Sequence, residues 1–217
     1  MAEQDQLSAQ SDDVCVLGVQ LSSDLSLDKH VTVVSAKCFF QLRQLRHIRR
    51  SLDDDSVATL VHAFITSRVD YCNGLLIGAP KKTTDKLQRV LNSAARIVSN
   101  TRKFDRGLTH FRRSQLHWLD VVDRVRFRVC VHSDVCTRWP MSTYCQPVSG
   151  ISGRRHLRSA DRGHIDFPRV KLTSYGGRSF AYAGPSNWNS LPVHLRDNSL
   201  SLSSVRRNLK TFLFSFY

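Results

Sequence analysis

The sequence predicts a mainly α chain: a helical bundle, then a basic, irregular C-terminal segment with short strands and a terminal helix. Three observations carry that prediction. Between 28 and 138, apolar residues recur at spacings of three and four, the repeat of a helix with one buried face. Between 141 and 176 that period vanishes and Ser, Gly, Arg and His dominate, a composition too poor in apolar groups to build a core of its own. From 203 onward the helical spacing returns, with Val205, Leu209, Phe212 and Leu213 on one side.

The elements follow in order. Residues 1–13 are polar and acidic, which predicts disorder and offers no secretory leader. Val14, Val16, Leu17 and Val19, interrupted by Gly18, read as one buried strand followed by a turn. From Asp28, placed as an N-cap, Val31, Val34, Cys38, Leu42, Leu45 and Ile48 form a helical stripe, and the Arg-rich last turn suits the negative end of the dipole. Asp53, Asp54 and Asp55 open a second helix whose face is Val57, Leu60, Val61, Phe64, Ile65 and Val69. "GAPKKTTDK" reads as a loop, and a third helix, capped by Thr83 or Thr84, carries Leu87, Val90, Leu91, Ala94 and Val98. A fourth is expected over about 120–137, capped by Asp120, with Val122, Val125 and Val129 inward. "GRSFAYAGP" suggests a strand. The natural divisions are therefore 1–13, a domain over 14–138, and a basic extension over 139–217.

Charge narrows the class of partner. The chain has 217 residues and a net charge of +14, which favours a polyanion. It carries 24 Arg against 8 Lys, and the planar Arg fork grips phosphates and stacks on bases. Residues 102–178 alone hold 16 basic and 6 acidic side chains. The six cysteines are widely spaced, as expected of reduced thiols in an intracellular protein, nuclear or cytoplasmic. No run is long and apolar enough to span a bilayer, and no membrane partner is expected.

Seven motifs stand in one order: "LGVQLSSDLSLDKHV" (17–31), "SRVDYCNGLLIGAP" (67–80), "LQRVLNSAARIV" (87–98), "LHWLDVVDRVRFRV" (116–129), "YGGRSF" (175–180), "PSNWNSLPVHLR" (185–196) and "LKTFLF" (209–214). Together they resemble the C-terminal part of the reverse transcriptase of non-LTR, LINE-type retrotransposons of the CR1/Jockey-like kind. The resemblance implies a thumb-like helical bundle that grips template and primer, followed by a C-terminal extension. The chain departs from the family at Asp120, where a proline is usual, at Val205-Arg206, usually Phe-Lys, and in "GLTHFRRSQ". Those departures concentrate within 104–120.

The same resemblance places the polymerase palm and fingers upstream, so no catalytic residues and no enzyme activity are expected. The acidic runs agree. A polymerase needs paired carboxylates around two metal ions, whereas "SLDDDSV" follows an Arg-rich helix end and reads as a cap, and "QSDDV" lacks an aromatic partner. Cys130 and His132, two apart, point to different helix faces. Cys130, Cys136, Cys145 and His156 are spaced too widely for a compact zinc site. No glycine-rich phosphate loop is present, and no cofactor, metal or small-molecule substrate is expected.

What remains is non-catalytic binding of RNA or RNA/DNA hybrid through phosphates, without sequence readout. The expected contacts are Arg43, Arg46, Arg49, Arg50, Lys81, Lys82, Arg89, Arg96, Arg154, Arg155 and Arg158. Six to ten such contacts would cost about 10³ to 10⁵ in affinity between 50 and 200 mM salt. Trp118, Trp188 and Pro192 are expected to be structural anchors, with Ser190 as an N-cap before Leu191 and Pro192 in the first turn. Two alternatives stay open: a relict reading frame with no selected role, or a helical module that binds protein. In the first, the face left by the missing palm invites self-association; in the second, soluble monomeric behaviour with weak RNA binding is expected.

Overall fold

A two-strand hairpin opens the described chain. The computed structural model describes residues 13–139, 145–151, 162–166, 168–170 and 176–217. Val14–Val16 (β1) pairs antiparallel with Val19–Leu21 (β2), Val16 opposite Val19. The connection, Leu17-Gly18, has φ of 49° and 79°, the two-residue turn whose twist matches its strands. The expectation of one buried strand is thereby corrected. Gly18 is a turn, β1 is exposed throughout, and of the three valines only Val19 is buried.

Helix α1 (Asp28–Ile48) buries Val31, Cys38, Leu42 and Leu45 and leaves Ile48 about half exposed. Asp28 is its first residue rather than its cap, and its carboxylate accepts from the Thr83 hydroxyl of a neighbouring helix. Helix α2 (Asp54–Val61) begins as expected, with Asp53 accepting from Ser56 N at 3.0 Å. It passes through a π turn, His62–Thr66, into α3 (Ser67–Asp70). Val57, Val61, Ile65 and Val69 are all buried, a strict spacing of four. That spacing drifts off a 3.6-residue helix, and one wide turn brings it back. The same turn rotates Phe64, expected inside, to the surface.

Helix α4 (Lys81–Val98) starts earlier than expected. Pro80 occupies the cap position, while Thr83 and Thr84 lie buried in the first turn. Its predicted stripe, Leu87, Val90, Leu91, Ala94 and Val98, is buried throughout. Lys86 Nζ reaches Thr32 Oγ1 at 2.9 Å near the start of α1, and Arg49 Nε, just past the end of α1, donates to Ile97 O at 2.9 Å near the end of α4. The two long helices therefore lie side by side and point the same way, and their C-terminal ends open together.

Sequence periodicity missed α5 (Leu108–Ser114). Helix α6 (Val121–Arg138) buries Val121, Val125 and Val129, but Val122, expected inward, is 61% exposed. Asp120 stands at its cap position without capping it. The carboxylate is taken by the Arg112 and Arg113 guanidinium groups, the latter at 2.9 Å.

Two cores share α6. Val121 and Val125 belong to the first, with α1 to α4; Cys130 and Val131 belong to the second, with the C-terminal elements. The division drawn at 138 thus falls beyond the helix that the two cores have in common. The stretch expected to be a strand is helix α7 (Phe180–Asn189). Its Gly184 allows close approach to α6, since a Cβ there would stand 3.1 Å from Ser133 Oγ and 3.0 Å from the Phe180 ring. Ser190 ends α7 rather than capping a new turn, and Pro192 precedes a 3-10 turn, Val193–Leu195. Helix α8 (Leu202–Phe214), capped by Ser201, buries Val205, Leu209 and Leu213, with Phe212 partly covered.

Trp188 is 1% exposed, and its Nε1 donates to Gly163 O at 3.1 Å. Asn189 next to it both accepts from Ile165 N at 2.9 Å and donates to Ile165 O at 2.8 Å, imitating a strand edge. Residues 185–196 are therefore a clasp on 163–165. Trp118 is partly buried against the first core. No described helix is long and apolar enough to cross a membrane.

Candidate nucleic-acid interface

The joint C-terminal ends of α1 and α4 form a strongly basic depression. Arg46, Arg49, Arg50, Arg96, Arg102 and Lys103 line an open cleft of about 610 Å³, floored by Ile97, Asn100 and Thr101. Three structural devices bring these cations together. Arg46 and Arg50 stand four apart at the end of α1, one turn above the other. Arg49 between them turns inward: it donates to Ile97 O, to Leu52 O at 3.1 Å and to Val98 O at 3.4 Å, and it pairs with Asp54. It fastens the end of α1 to the last carbonyls of α4. The third device is a Schellman turn. Asn100 is left-handed (φ 53°), Thr101 N donates to Arg96 O at 3.1 Å and Asn100 N to Ile97 O at 3.4 Å. The chain reverses there and returns Arg102 and Lys103 beside Arg96.

Cations also accumulate at helix C-termini merely to complement the dipole, so the magnitudes decide. Two helix ends contribute together about one negative charge. Asp54, on Arg49, and Asp105, which accepts from Arg102 N at 2.6 Å, remove two more. Six cations still leave the cleft at about +3 once those helix ends are counted. Among the described residues Arg46, Arg50, Arg96, Arg102 and Lys103 form no ion pair with a carboxylate. Arg96 Nε is in addition buried without a hydrogen-bond partner.

The structure divides the residues expected from sequence. Arg46, Arg49, Arg50 and Arg96 meet in the cleft; Arg43 is exposed on α1 outside it. Lys81 and Lys82 are exposed at the far end of α4, about 22 Å away at 1.5 Å per residue. Arg89 is exposed midway. Lys82, Arg89 and Arg96 are spaced by seven, which keeps them in one row along α4 within about 40°. Arg154, Arg155 and Arg158 lie outside the described residues. Sequence reasoning missed Arg102 and Lys103, although Asn100 just past the apolar stripe is the signal of a helix end that turns back.

Other arginines of the basic stretch are engaged inside the protein. Arg112 (4% exposed) holds Asp120 and Asn92, Arg124 holds Asp70 at 2.7 Å, and Arg138 grips buried Asp134 through two bonds of 2.8 and 2.9 Å. Cys130 is fully buried, which pushes its thiol up to about 12, while His132 is exposed and bonded to Arg128 O at 2.8 Å. The acids of "SLDDDSV" act as a cap and as a partner of Arg49. Among the described residues no group of three His, Cys, Asp or Glu side chains is placed to hold a metal ion, and His156 lies outside them. No protein-family model, curated protein or solved structure matches the chain.

Proposed function

We propose that this chain is a non-catalytic nucleic-acid-binding protein that holds RNA or RNA/DNA hybrid by its phosphates, in the cleft between the ends of α1 and α4. The observation that carries this reading is five cations with no carboxylate partner among the described residues, converging on one depression in a chain of net charge +14. The row Lys82, Arg89, Arg96 would extend the track along α4 for a longer strand. Backbone contacts of this kind give affinity without base readout. The thumb-like ancestry implied by the seven motifs is part of the same proposal, and an origin downstream of a polymerase palm accounts for binding without chemistry. The test is a titration of fluorescent single-stranded RNA and RNA/DNA hybrid at several salt concentrations. Saturable binding that weakens steeply with salt is expected; no binding at low salt would refute it.

A second reading, a module that contacts protein, rests on the exposed apolar side chains near the hairpin. Val14, Val16 and Leu17 stand exposed there, as do Val33 and Phe40 on α1. Concentration-dependent self-association that salt leaves unchanged would favour it over nucleic-acid binding.

A further inference from the structure

A second cationic site lies in the other core, and it does not depend on the nucleic-acid reading. Arg196 is 6% exposed. Its Nε donates to Leu191 O at 3.0 Å, but its Nη1 is buried with no hydrogen-bond partner, and among the described residues no carboxylate pairs with it. The comparison within this molecule is Arg112, buried to a similar degree, whose Nε also lacks a hydrogen-bond partner but whose charge is met by Asp120, with Asn92 as a second acceptor. A buried guanidinium without a counter-ion is costly unless something supplies the missing charge.

Arg196 opens onto a pocket of about 370 Å³, which Arg162, His164 and His194 also line. The pocket is built. Trp188 and Asn189 hold Gly163 and Ile165 from one side, and Val148 N donates to His164 O at 3.0 Å from the other. Gly163 itself is left-handed (φ +63°), and a Cβ there would meet Arg196 O at 2.8 Å, so only glycine lets the two segments close. One carboxylate, Asp197, stands at the rim; it accepts from Ser199 N at 2.8 Å and also feels the Arg138 charge. Like charges crowd the interior. Burial and then the Arg162 charge loosen the hold of Arg196 on its proton, and burial, Arg196 and Arg162 together push His164 below the usual histidine range.

We infer that this pocket binds a phosphate group, with Arg196 as the buried anchor and Arg162, His164 and His194 around it. Donors on two separate segments suit four tetrahedral oxygens better than a flat carboxylate, and the two arginines supply the positive charge that such an anion needs. The group can belong to a small phosphate compound or to a nucleic-acid backbone.

The experiment uses the full chain and inorganic phosphate, followed by calorimetry and by thermal unfolding against sodium chloride at matched ionic strength. A saturable phosphate-specific rise in Tm is expected, abolished in Arg196→Met, whose apolar chain fills the same space. It is expected to survive in Arg46→Ala/Arg50→Ala, so that failure here and failure of the cleft are told apart. Should Arg196→Met not fold, the exposed substitution Arg162→Ala decides, with phosphate affinity expected to fall about tenfold. No response beyond chloride, or an undiminished response in Arg196→Met or in Arg162→Ala, overturns the site. A single-stranded ten-mer separates the sources. Weaker RNA binding by Arg196→Met assigns a backbone phosphate; unchanged RNA binding with loss of phosphate assigns a small phosphate compound.

Discussion

Removing the cleft cations should flatten the salt response in proportion to their number. Five cleft cations lack a carboxylate partner: Arg46, Arg50, Arg96, Arg102 and Lys103. With about 0.9 counterions released per phosphate neutralised on a duplex and 0.7 on a single strand, the slopes of log K against log salt are about −4.5 and −3.5. Over a fourfold rise from 50 to 200 mM, affinity then falls about 500-fold for hybrid and about 130-fold for single-stranded RNA. This lies at or below the low end of what the sequence alone implied, because Arg49 is spent on the carbonyls of α4 and on Asp54. In Arg46→Ala/Arg50→Ala/Arg102→Ala two contacts remain, and the hybrid loss over the same range shrinks to about 12-fold.

The control is Lys81→Ala/Lys82→Ala. These lysines lie about 22 Å from the cleft along α4, well beyond a Debye length of about 8 Å at physiological salt. A short oligonucleotide seated in the cleft should keep its slope in that variant. Fluorescence anisotropy at four salt concentrations measures all three proteins. A flat wild-type response, or an equal loss of slope in the lysine variant, refutes the placement of the site.

Four further outcomes follow from the structure. Asp120→Ala strips the counter-ion from Arg112, which is 4% exposed, and should cost about 3–5 kcal/mol in urea unfolding; a loss under 1 would show that the pair is idle. Tyr217→Phe removes the hydroxyl that donates to Asp123 and accepts from Asp120 N at 2.9 Å, while keeping the ring that Arg113 covers at 3.8 Å; about 1–2 kcal/mol should be lost, with the Arg113 contact retained. Exposed Cys15 and Cys72 should react rapidly with a disulfide reagent, whereas Cys38, Cys130 and Cys145 should wait for unfolding; five fast thiols would contradict the packing. Burial lifts the Cys130 thiol to about 12 in the folded chain, so its contribution is complete below the ordinary thiol pKa of about 8.5 and is lost as pH rises from there toward 12, by up to about 1.4 kcal/mol per pH unit. Urea unfolding between pH 7.5 and 10.5 should show that decline, and Cys130→Ala should lessen it.

The long helices could be read from the sequence because each has one clean apolar stripe. The stripes of α1, α4 and α8 are legible in Val31, Cys38, Leu42 and Leu45, in Leu87, Val90, Leu91, Ala94 and Val98, and in Val205, Leu209 and Leu213, all buried, with Val34 and Phe212 partly so. The errors share a physical cause: an element whose shape is set by a partner distant in sequence. The π turn that exposes Phe64 reflects packing against the first core. The small residues of α7, Ala181, Ala183 and Gly184, carry little periodicity and so read as a strand in sequence; in the fold Gly184 allows the close approach to Ser133. Asp120 looked like a cap, and it is one by position, but Arg112 and Arg113 reach it first.

Charge shows the same limit more sharply. The sequence counts cations; it does not say which of them are already spoken for. Lys29, Arg49, Lys86, Arg112, Arg113, Arg124 and Arg138 all pair with carboxylates in the fold. Arg196 looks no different from them in sequence, yet it is the buried one without a counter-ion. Arg49 sits between Arg46 and Arg50 in the chain and serves a different purpose from either. The separation is angular: on a helical wheel Arg46 and Arg50 lie within about 40° of each other, while Arg49 is turned about 60° from the one and 100° from the other, toward the carbonyls of α4. Charge left over after internal pairing is what a basic protein can offer a partner, and among the described residues several such cations stand together in the α1–α4 cleft and around the Arg196 pocket, while others, Arg43, Lys81, Lys82 and Arg89 among them, stand apart. A variant set that removes paired arginines should damage stability, whereas one that removes Arg46, Arg50, Arg102 or Arg162 should damage binding alone.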